Sequence, residues 1–172
     1  MPETETMGKL KRSAHLFYID ATFGGVTPSW FLVGKDVEDM AVELNPDTQT
    51  VKNILDETII RDNGYEPSIS VDTYYANPSD GDFYTKVKDI AMNRLTGEAC
   101  CTKVLEVLVD KTTGPYDAWQ EDAVIKPQSY GGSQGGISIP YNVHFNGNRK
   151  KVAATLVDKV PTLIQEAVAI TP

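Results

Sequence analysis

Residues 137–157 read ISIPYNVHFNGNRKKVAATLV, and this stretch carries the clearest structural signal in the sequence. Apolar residues alternate with polar ones along 137–145, and a second alternation runs along 150–157. A period of two is typical of strands that bury one face and expose the other. The stretch therefore predicts two consecutive strands.

The link between these two predicted strands contains Asn146-Gly147, the dipeptide that a two-residue type I′ turn prefers. A hairpin closed by this turn would place Tyr141 opposite Val152 and Ile139 opposite Ala154. Both apolar stripes would then lie on one side of the sheet. The sequence predicts a β-hairpin at this position.

Short β-type segments separated by turn residues recur through the rest of the chain. The further predicted strands are residues 15–20, 29–33, 40–44, 68–75, 103–110 and 123–129. In residues 103–110 apolar side chains alternate onto both faces, which predicts that this strand is covered on both sides, by a helix or by a neighbouring subunit.

Residues 82–95 break the β pattern because their apolar residues recur at helical spacing. Asp80 or Asp82 would cap the start of this predicted helix, and Gly97 would take the left-handed conformation after its end. Strands before and after a single internal helix favour a mainly β fold, a two-sheet β-sandwich or barrel with one flanking helix.

The predicted organisation is an N-terminal arm at residues 1–12, a β-sandwich domain at 13–158 and a C-terminal arm at 159–172. An apolar stripe in 160–170 gives a short helix as one interpretation of the C-terminal arm. Residues 45–63 are polar with scattered apolar side chains, and two interpretations stay open for them. They form either a hairpin projecting towards another chain or a pair of internal strands.

Composition and charge limit the function classes. The chain has 172 residues, 41% of them hydrophobic, enough for one core, and its formal net charge is −8. This negative balance argues against a general phosphate-binding surface, which needs clustered cations. We expect neither a signal peptide nor a membrane span, because no uncharged stretch approaches the roughly 20 residues that a span requires.

Residues that could carry chemistry do not form a convincing constellation. Cys100 and Cys101 are adjacent, and the two histidines have no metal-ligand spacing. The glycine-rich loop at 131–136 lacks the lysine of a phosphate-binding loop. We therefore predict no enzymatic activity, no metal and no cofactor. A carbohydrate-binding β-sandwich using Trp30 and Trp119 is the alternative, followed by a metal-free hydrolase.

Several segments resemble the tail tube proteins of long-tailed bacteriophages, and the resemblance spans nearly the whole chain. The segments are MPET (1–4) with Met7-Gly8, NPDTQTVKNILDET (45–58), GYEPSISVDTYY (64–75), DFYTKVKDIAMNRLTG (82–97), EDAVIKPQSYGG (121–132) and YNVHFNGNRKKV (141–152). The resemblance implies a tail tube fold, with six copies per ring and rings stacked into a hollow tube. Tubes of contractile tails and of type VI secretion share that fold.

The resemblance also implies where the protein acts and with what. It would line a conduit for DNA in a virion tail, noncontractile by first choice, after assembly in the cytoplasm of the infected bacterium. Its partners would be further copies of itself, a tape measure protein, a tail terminator and baseplate or distal tail proteins, with no membrane binding. The negative charge suits such a conduit because it repels passing phosphates.

Contact residues follow from the same resemblance, which assigns stacking between rings to the termini and the long loop. The residues predicted to stack are Leu10, Lys11, Arg12, Thr48, Thr50, Val51, Ile54, Leu55, Asp56 and Glu57. Trp119, Tyr130, Tyr141 and Phe145 are predicted to lie between subunits within a ring.

Overall fold

The computed structural model describes residues 8–164 and the backbone of residues 168–169. The described residues form twelve strands and one α-helix. In chain order these are β1 (His15–Asp20), β2 (Trp30–Val33), β3 (Val42–Glu43), β4 (Pro46–Lys52), β5 (Thr58–Tyr65), β6 (Ser68–Val71), α1 (Asp82–Asn93), β7 (Cys101–Leu108), β8 (Tyr116–Pro127), β9 (Tyr141–Phe145), β10 (Lys150–Val157), β11 (Val160–Leu163) and β12 (Val168–Ala169).

Ten strands form one antiparallel sheet that curls into a half-barrel. Its main order is β2-β1-β7-β8-β9-β6-β3, with β10 joined to β8 and both β11 and β12 joined to β10. The prediction of a mainly β fold with one flanking helix is confirmed. The remaining strands, β4 and β5, form a separate two-stranded sheet.

Strand β8 is central because three other strands share its two edges. One edge pairs with β7 from Asp117 to Val124. The other edge is divided between β10, at residues 116–120, and β9, at residues 123–127. Since both pairings are antiparallel, β9 and β10 run in the same direction, one after the other along β8.

The predicted hairpin between residues 137–145 and 150–157 is therefore wrong, although both strands exist. The amide of Asn146 donates to the carbonyl of Asp122 at 2.7 Å, and the carbonyl of Gly147 accepts from the amide of Asp122 at 3.1 Å. The dipeptide thus holds the link against the middle of β8 instead of reversing the chain. Alternation within each strand is the same in both arrangements, so the pattern could not reveal the partner strand.

The sheet carries a hydrophobic cluster on each of its two faces. Cluster one lies under α1 and includes Phe17, Ile19, Phe83, Val87, Tyr141 and Val143. Cluster two lies on the opposite face and comprises Tyr18, Leu105, Val107, Ala118, Val152 and Ala154. Strand β7 contributes Val104 to cluster one and both Leu105 and Val107 to cluster two. The prediction that this strand is covered on both faces is therefore confirmed.

Helix α1 occupies most of the predicted range and packs on cluster one through Phe83 and Val87, and Ile90 is also buried. The predicted N-cap is wrong. Gly81 occupies the N-cap without a side-chain hydrogen bond, while the carboxylate of Asp80 accepts a hydrogen bond from Tyr74 at 2.9 Å. Arg94, with φ of 52°, is the left-handed C-cap, and Gly97, with φ of 68°, has the positive φ predicted for it three residues later.

Other differences lie at the ends of the elements. Strand β8 begins at Tyr116, earlier than the predicted start at residue 123. Residues 116–122 were not predicted as a strand because many of their side chains are polar. The helix considered for 160–170 is also wrong where the structure describes it, since β11 pairs with β10. Asp158 and Lys159, with φ of 49° and 64°, form the two-residue turn between these strands.

Candidate assembly surface

Residues 46–65 form a projecting hairpin, the β-arm. Its strands β4 and β5 pair with each other from Thr48–Asp62 to Lys52–Thr58, and with no other strand of the described chain. Nearly every side chain along the β-arm is exposed. Of the two interpretations left open for residues 45–63, the structure favours the projecting hairpin, and its contact with another chain stays a prediction.

The β-arm prolongs the edge of the main sheet. Strands β3 and β6 pair at that edge, and the amide of Glu66 donates to the carbonyl of Leu44 at 3.1 Å just beyond them. Asn45, with φ of 44°, donates through its side-chain amide to the carbonyl of Glu66 at 3.0 Å. These contacts fix the base of the β-arm to the domain.

The tip of the β-arm is an ordered turn built around Asn53. Its side-chain oxygen accepts from the amides of Leu55 at 2.9 Å and Glu57 at 3.0 Å, and its side-chain nitrogen donates to the Glu57 carboxylate at 2.8 Å. Asp56 completes the turn with φ of 62°. The turn therefore holds Ile54 and Leu55 in a defined position.

Apolar side chains on the β-arm lie in solvent. Ile54 is 100% exposed at the tip, Leu55 is 71% exposed beside it, and Ile60 on the shaft is also 71% exposed. Ile59 and Tyr65 are exposed as well. Such a concentration of apolar surface away from the core is typical of a site that another molecule covers.

A groove lies near the base of the β-arm, between the segment leading into β1 and the loop after β2. We call it the basal groove; its volume is about 540 Å³. The Arg12 guanidinium joins its two walls, donating to the carbonyls of Met40 and His15, each at 2.9 Å. The basal groove is lined by Arg12, Ser13, His15, Leu16, Leu32, Val33, Gly34, Lys35, Val37, Glu38, Met40 and Lys159.

The residues predicted to stack between rings occupy two places. Thr48, Thr50, Val51, Ile54, Leu55, Asp56 and Glu57 are all on the β-arm. Leu10, Lys11 and Arg12 lie near its base, where they line a depression together with Met40 and Val42. The structure thus places the predicted residues along one projecting element and near its base, and their role in stacking stays a prediction.

The residues predicted to lie between subunits of a ring have different environments. Tyr141 is 1% exposed within cluster one and is a core residue, so it cannot contact a neighbour. Phe145 is half-buried, with its ring 6.3 Å from that of Phe17. Tyr130 is exposed, and Trp119 is half-buried with the guanidinium of Arg149 above its ring at 5.9 Å. These three remain accessible enough for the predicted role.

A charged cluster with two buried glutamates, which the sequence did not predict, lies beside Trp119. Arg149 contacts Glu106 at 3.0 Å and Glu121 at 3.8 Å, and His15 lies 4.0 Å from Glu106. Burial raises the pKa of Glu106, but the nearby His15 and the hydrogen bond that Arg149 donates outweigh burial and hold this pKa below its usual range. Burial raises the pKa of Glu121. The only sequence signal was Glu106 itself, an acid inside an apolar strand.

Three further observations concern metal binding, membrane spans and the two tryptophans. Across residues 8–164 no group of three or more His, Cys, Asp or Glu is placed to hold a metal ion. None of the described helices is long and apolar enough to cross a membrane. By strand register Trp30 and Trp119 lie on opposite faces of the sheet, so they cannot form one carbohydrate platform.

Comparison with known proteins places the fold. No family model matches the sequence, and no curated protein matches it. The chain resembles a solved structure described as the PVC sheath/tube terminator of an extracellular contractile injection system in the extended state. The TM-score is 0.50 at 7% identity, over 85% of this chain and 98% of that one. The likeness is one of fold.

Proposed function

We propose that this chain is a non-enzymatic structural subunit of a phage-like tail, which assembles with copies of itself into stacked hexameric rings. The single observation that carries the proposal is the β-arm, a projecting hairpin with apolar side chains that its own domain leaves exposed. The likeness in fold to a sheath/tube terminator, and the sequence resemblance to tail tube proteins, support the same function.

Ring formation would cover the open edges of the sheet. Strands β2 and β3 end the main path of the sheet, so each presents an edge that another strand can extend. A closed ring of copies would cover such edges and remove the risk of uncontrolled edge-to-edge aggregation. The formal net charge of −8 would then repel DNA phosphates from the wall of the conduit.

The proposed setting follows from this assembly. The subunit would belong to a virion tail, built in the cytoplasm of an infected bacterium, and would contact a tape measure protein, a tail terminator and baseplate or distal tail proteins. We keep the noncontractile tail as first choice. DNA would pass through the conduit without sequence-specific binding.

A second candidate is a terminator, which closes a tube instead of building its length. The observation that favours it is the printed description of the structural neighbour, a sheath/tube terminator. Both candidates are structural, but they differ in the assembly they form. A tube subunit forms stacks of variable length, whereas a terminator forms single rings.

The test is negative-stain electron microscopy of the purified chain over a range of concentrations, with size-exclusion chromatography in parallel. Hollow stacks support the tube subunit, and isolated rings support the terminator. A variant lacking residues 48–56 should lose assembly and keep its β circular dichroism, because the β-arm contributes nothing to either hydrophobic cluster. Met92→Ser, which removes an exposed apolar side chain on α1, is the control and should assemble normally. The proposal would be wrong if the chain stayed monomeric at high concentration or if it turned over a substrate.

A further inference from the structure

A cavity of about 160 Å³ lies between the loop after β2 and the segment that joins β6 to α1. Four aromatic residues, Phe31, Tyr74, Tyr75 and Tyr141, supply much of its lining. A water molecule takes up about 30 Å³ in the liquid, so the cavity has room for about five groups of that size. This room suits a short, slim ligand.

Two hydrogen-bond acceptors belong to the cavity lining. Asp80 accepts through Oδ2 from the hydroxyl of Tyr74 at 2.9 Å, which leaves its Oδ1 for a ligand. The hydroxyl of Tyr141 is buried and has no hydrogen-bond partner among the described residues. Burial, with Tyr74 and Asp80 nearby, raises the pKa of this hydroxyl, so it stays protonated and neutral. An ammonium group could donate to both acceptors, and aromatic faces attract the same cation.

An acidic depression of about 540 Å³ adjoins the cavity, and Asp36, Thr73 and Tyr75 are among the residues that line both. Its four acids are all exposed: Asp36, Glu38, Asp39 and Asp72. Neither these acids nor Asp80 makes a salt bridge with another residue of the described chain. Lys35 is the one cation in the two linings, so the negative charge at this place is largely uncompensated.

The combination of a small aromatic cavity and an acidic depression limits the chemistry of the ligand. One ammonium group followed by four methylene groups matches the room for about five groups in the cavity. A second ammonium group at the other end of the chain would then lie outside the cavity, where the acids of the depression attract it. A short aliphatic diamine has this arrangement of apolar and cationic parts.

We propose that the cavity binds a short aliphatic diamine, with one ammonium group at Asp80 and the hydroxyl of Tyr141 and the other among the acids of the depression. The site lies outside the β-arm and needs no second copy of the chain. This inference and the proposed function therefore stand or fall separately.

The experiment uses putrescine, the four-carbon diamine, in thermal denaturation followed by circular dichroism and in isothermal titration calorimetry. Because a ligand that binds only the folded state stabilises it, putrescine should raise the Tm more than NaCl at the same ionic strength. n-Butylamine has the same carbon chain and one ammonium group. It should bind about fivefold more weakly, because it does not reach the exposed acids.

Four variants test the contacts by calorimetry. Asp80→Asn should weaken putrescine binding at least about tenfold, because a charge-assisted hydrogen bond is lost. Tyr141→Phe keeps the ring, removes one acceptor and should weaken binding about fivefold. Lys35→Gln removes the competing cation and should tighten binding about twofold. Glu98→Gln, the matched control, removes an exposed acid that lines neither space and should leave the affinity unchanged. Circular dichroism checks that each variant folds.

Three outcomes would overturn the inference. They are a rise in Tm no larger than that with NaCl, an unchanged affinity in the folded Asp80→Asn variant, and binding of n-butylamine as tight as that of putrescine. None of them bears on ring formation. A chain that binds putrescine as expected but never assembles overturns the proposed function alone.

Discussion

The hydroxyl group of Tyr141 gives the sharpest test of the packing in cluster one. The side chain is 1% exposed, and its hydroxyl has no hydrogen-bond partner among the described residues. Its ring packs edge-on against Tyr74 and Phe83, with centroids 6.0 Å and 5.8 Å away. Burial, together with Tyr74 and Asp80, raises the pKa of this hydroxyl well above its ordinary value. The group is buried at a free-energy cost.

Tyr141→Phe removes this cost and keeps the ring contacts. Burying a polar group without a hydrogen bond costs about 1–3 kcal/mol by mutational data, and the lost oxygen leaves a small cavity that offsets part of the gain. We expect Tyr141→Phe to increase the free energy of unfolding by about 1 kcal/mol. The matched control is Tyr74→Phe, which removes the 2.9 Å hydrogen bond to Asp80 and should decrease it by about 1 kcal/mol.

Urea denaturation followed by circular dichroism measures both variants, at concentrations where the chain is monomeric. The denaturant slope should be the same in each, because neither substitution changes the surface exposed on unfolding. If Tyr141→Phe instead lowers the free energy of unfolding as much as Tyr74→Phe does, the Tyr141 hydroxyl has a partner and the reasoning fails.

Three further substitutions test the charged cluster and the helix contact. At pH 7 Glu106→Gln should lower the free energy of unfolding by about 1–3 kcal/mol, because the depressed pKa means that the folded state favours the carboxylate. This loss should disappear as the pH falls through the folded-state pKa, and a pH series that shows no such convergence would contradict it. Glu121→Gln should leave stability unchanged or raise it at pH 7, since its raised pKa penalises the carboxylate at neutral pH, and the difference should fade in acid. Phe83→Ala should lower the free energy of unfolding by about 3–5 kcal/mol in the same urea assay, because Phe83 is fully buried and stacks on Phe31 at 4.0 Å; a loss below 1 kcal/mol would contradict its place in the core.

Local periodicity predicted the elements whose pattern depends on one buried face. Strands β1 and β10 and helix α1 lie where alternation or helical spacing placed them. The partner of a strand depends on distant residues instead. The turn dipeptide Asn146-Gly147 favoured a hairpin, but β9 and β10 each pair with β8 instead.

Strand β8 shows a second limit of the sequence pattern. Asp117, Gln120, Glu121 and Asp122 make its first half look like a loop. Glu121 is tolerated inside the protein because Arg149, distant in the sequence, partly neutralises it. When the charged side chains of a strand are neutralised by residues distant in the sequence, no local sequence pattern predicts the strand.

The candidate assembly surface was only partly predictable for a similar reason. The β-arm left a trace, because apolar residues scattered through the polar segment 45–63 indicated contact with another chain. No feature of the sequence predicted the basal groove. Its lining comes from three separate parts of the chain, near residues 12–16, 32–40 and 159, which approach each other only after the sheet has formed.

The shared edge of β8 has a consequence for how the molecule loses its structure. Ala123 and Ile125 of this strand belong to cluster one, while Ala118 belongs to cluster two. A disruptive substitution between them would disturb the packing of both clusters, because one strand contributes to each. Thermal denaturation should therefore be a single cooperative transition, and fragments divided at this strand should not survive as separate folded pieces.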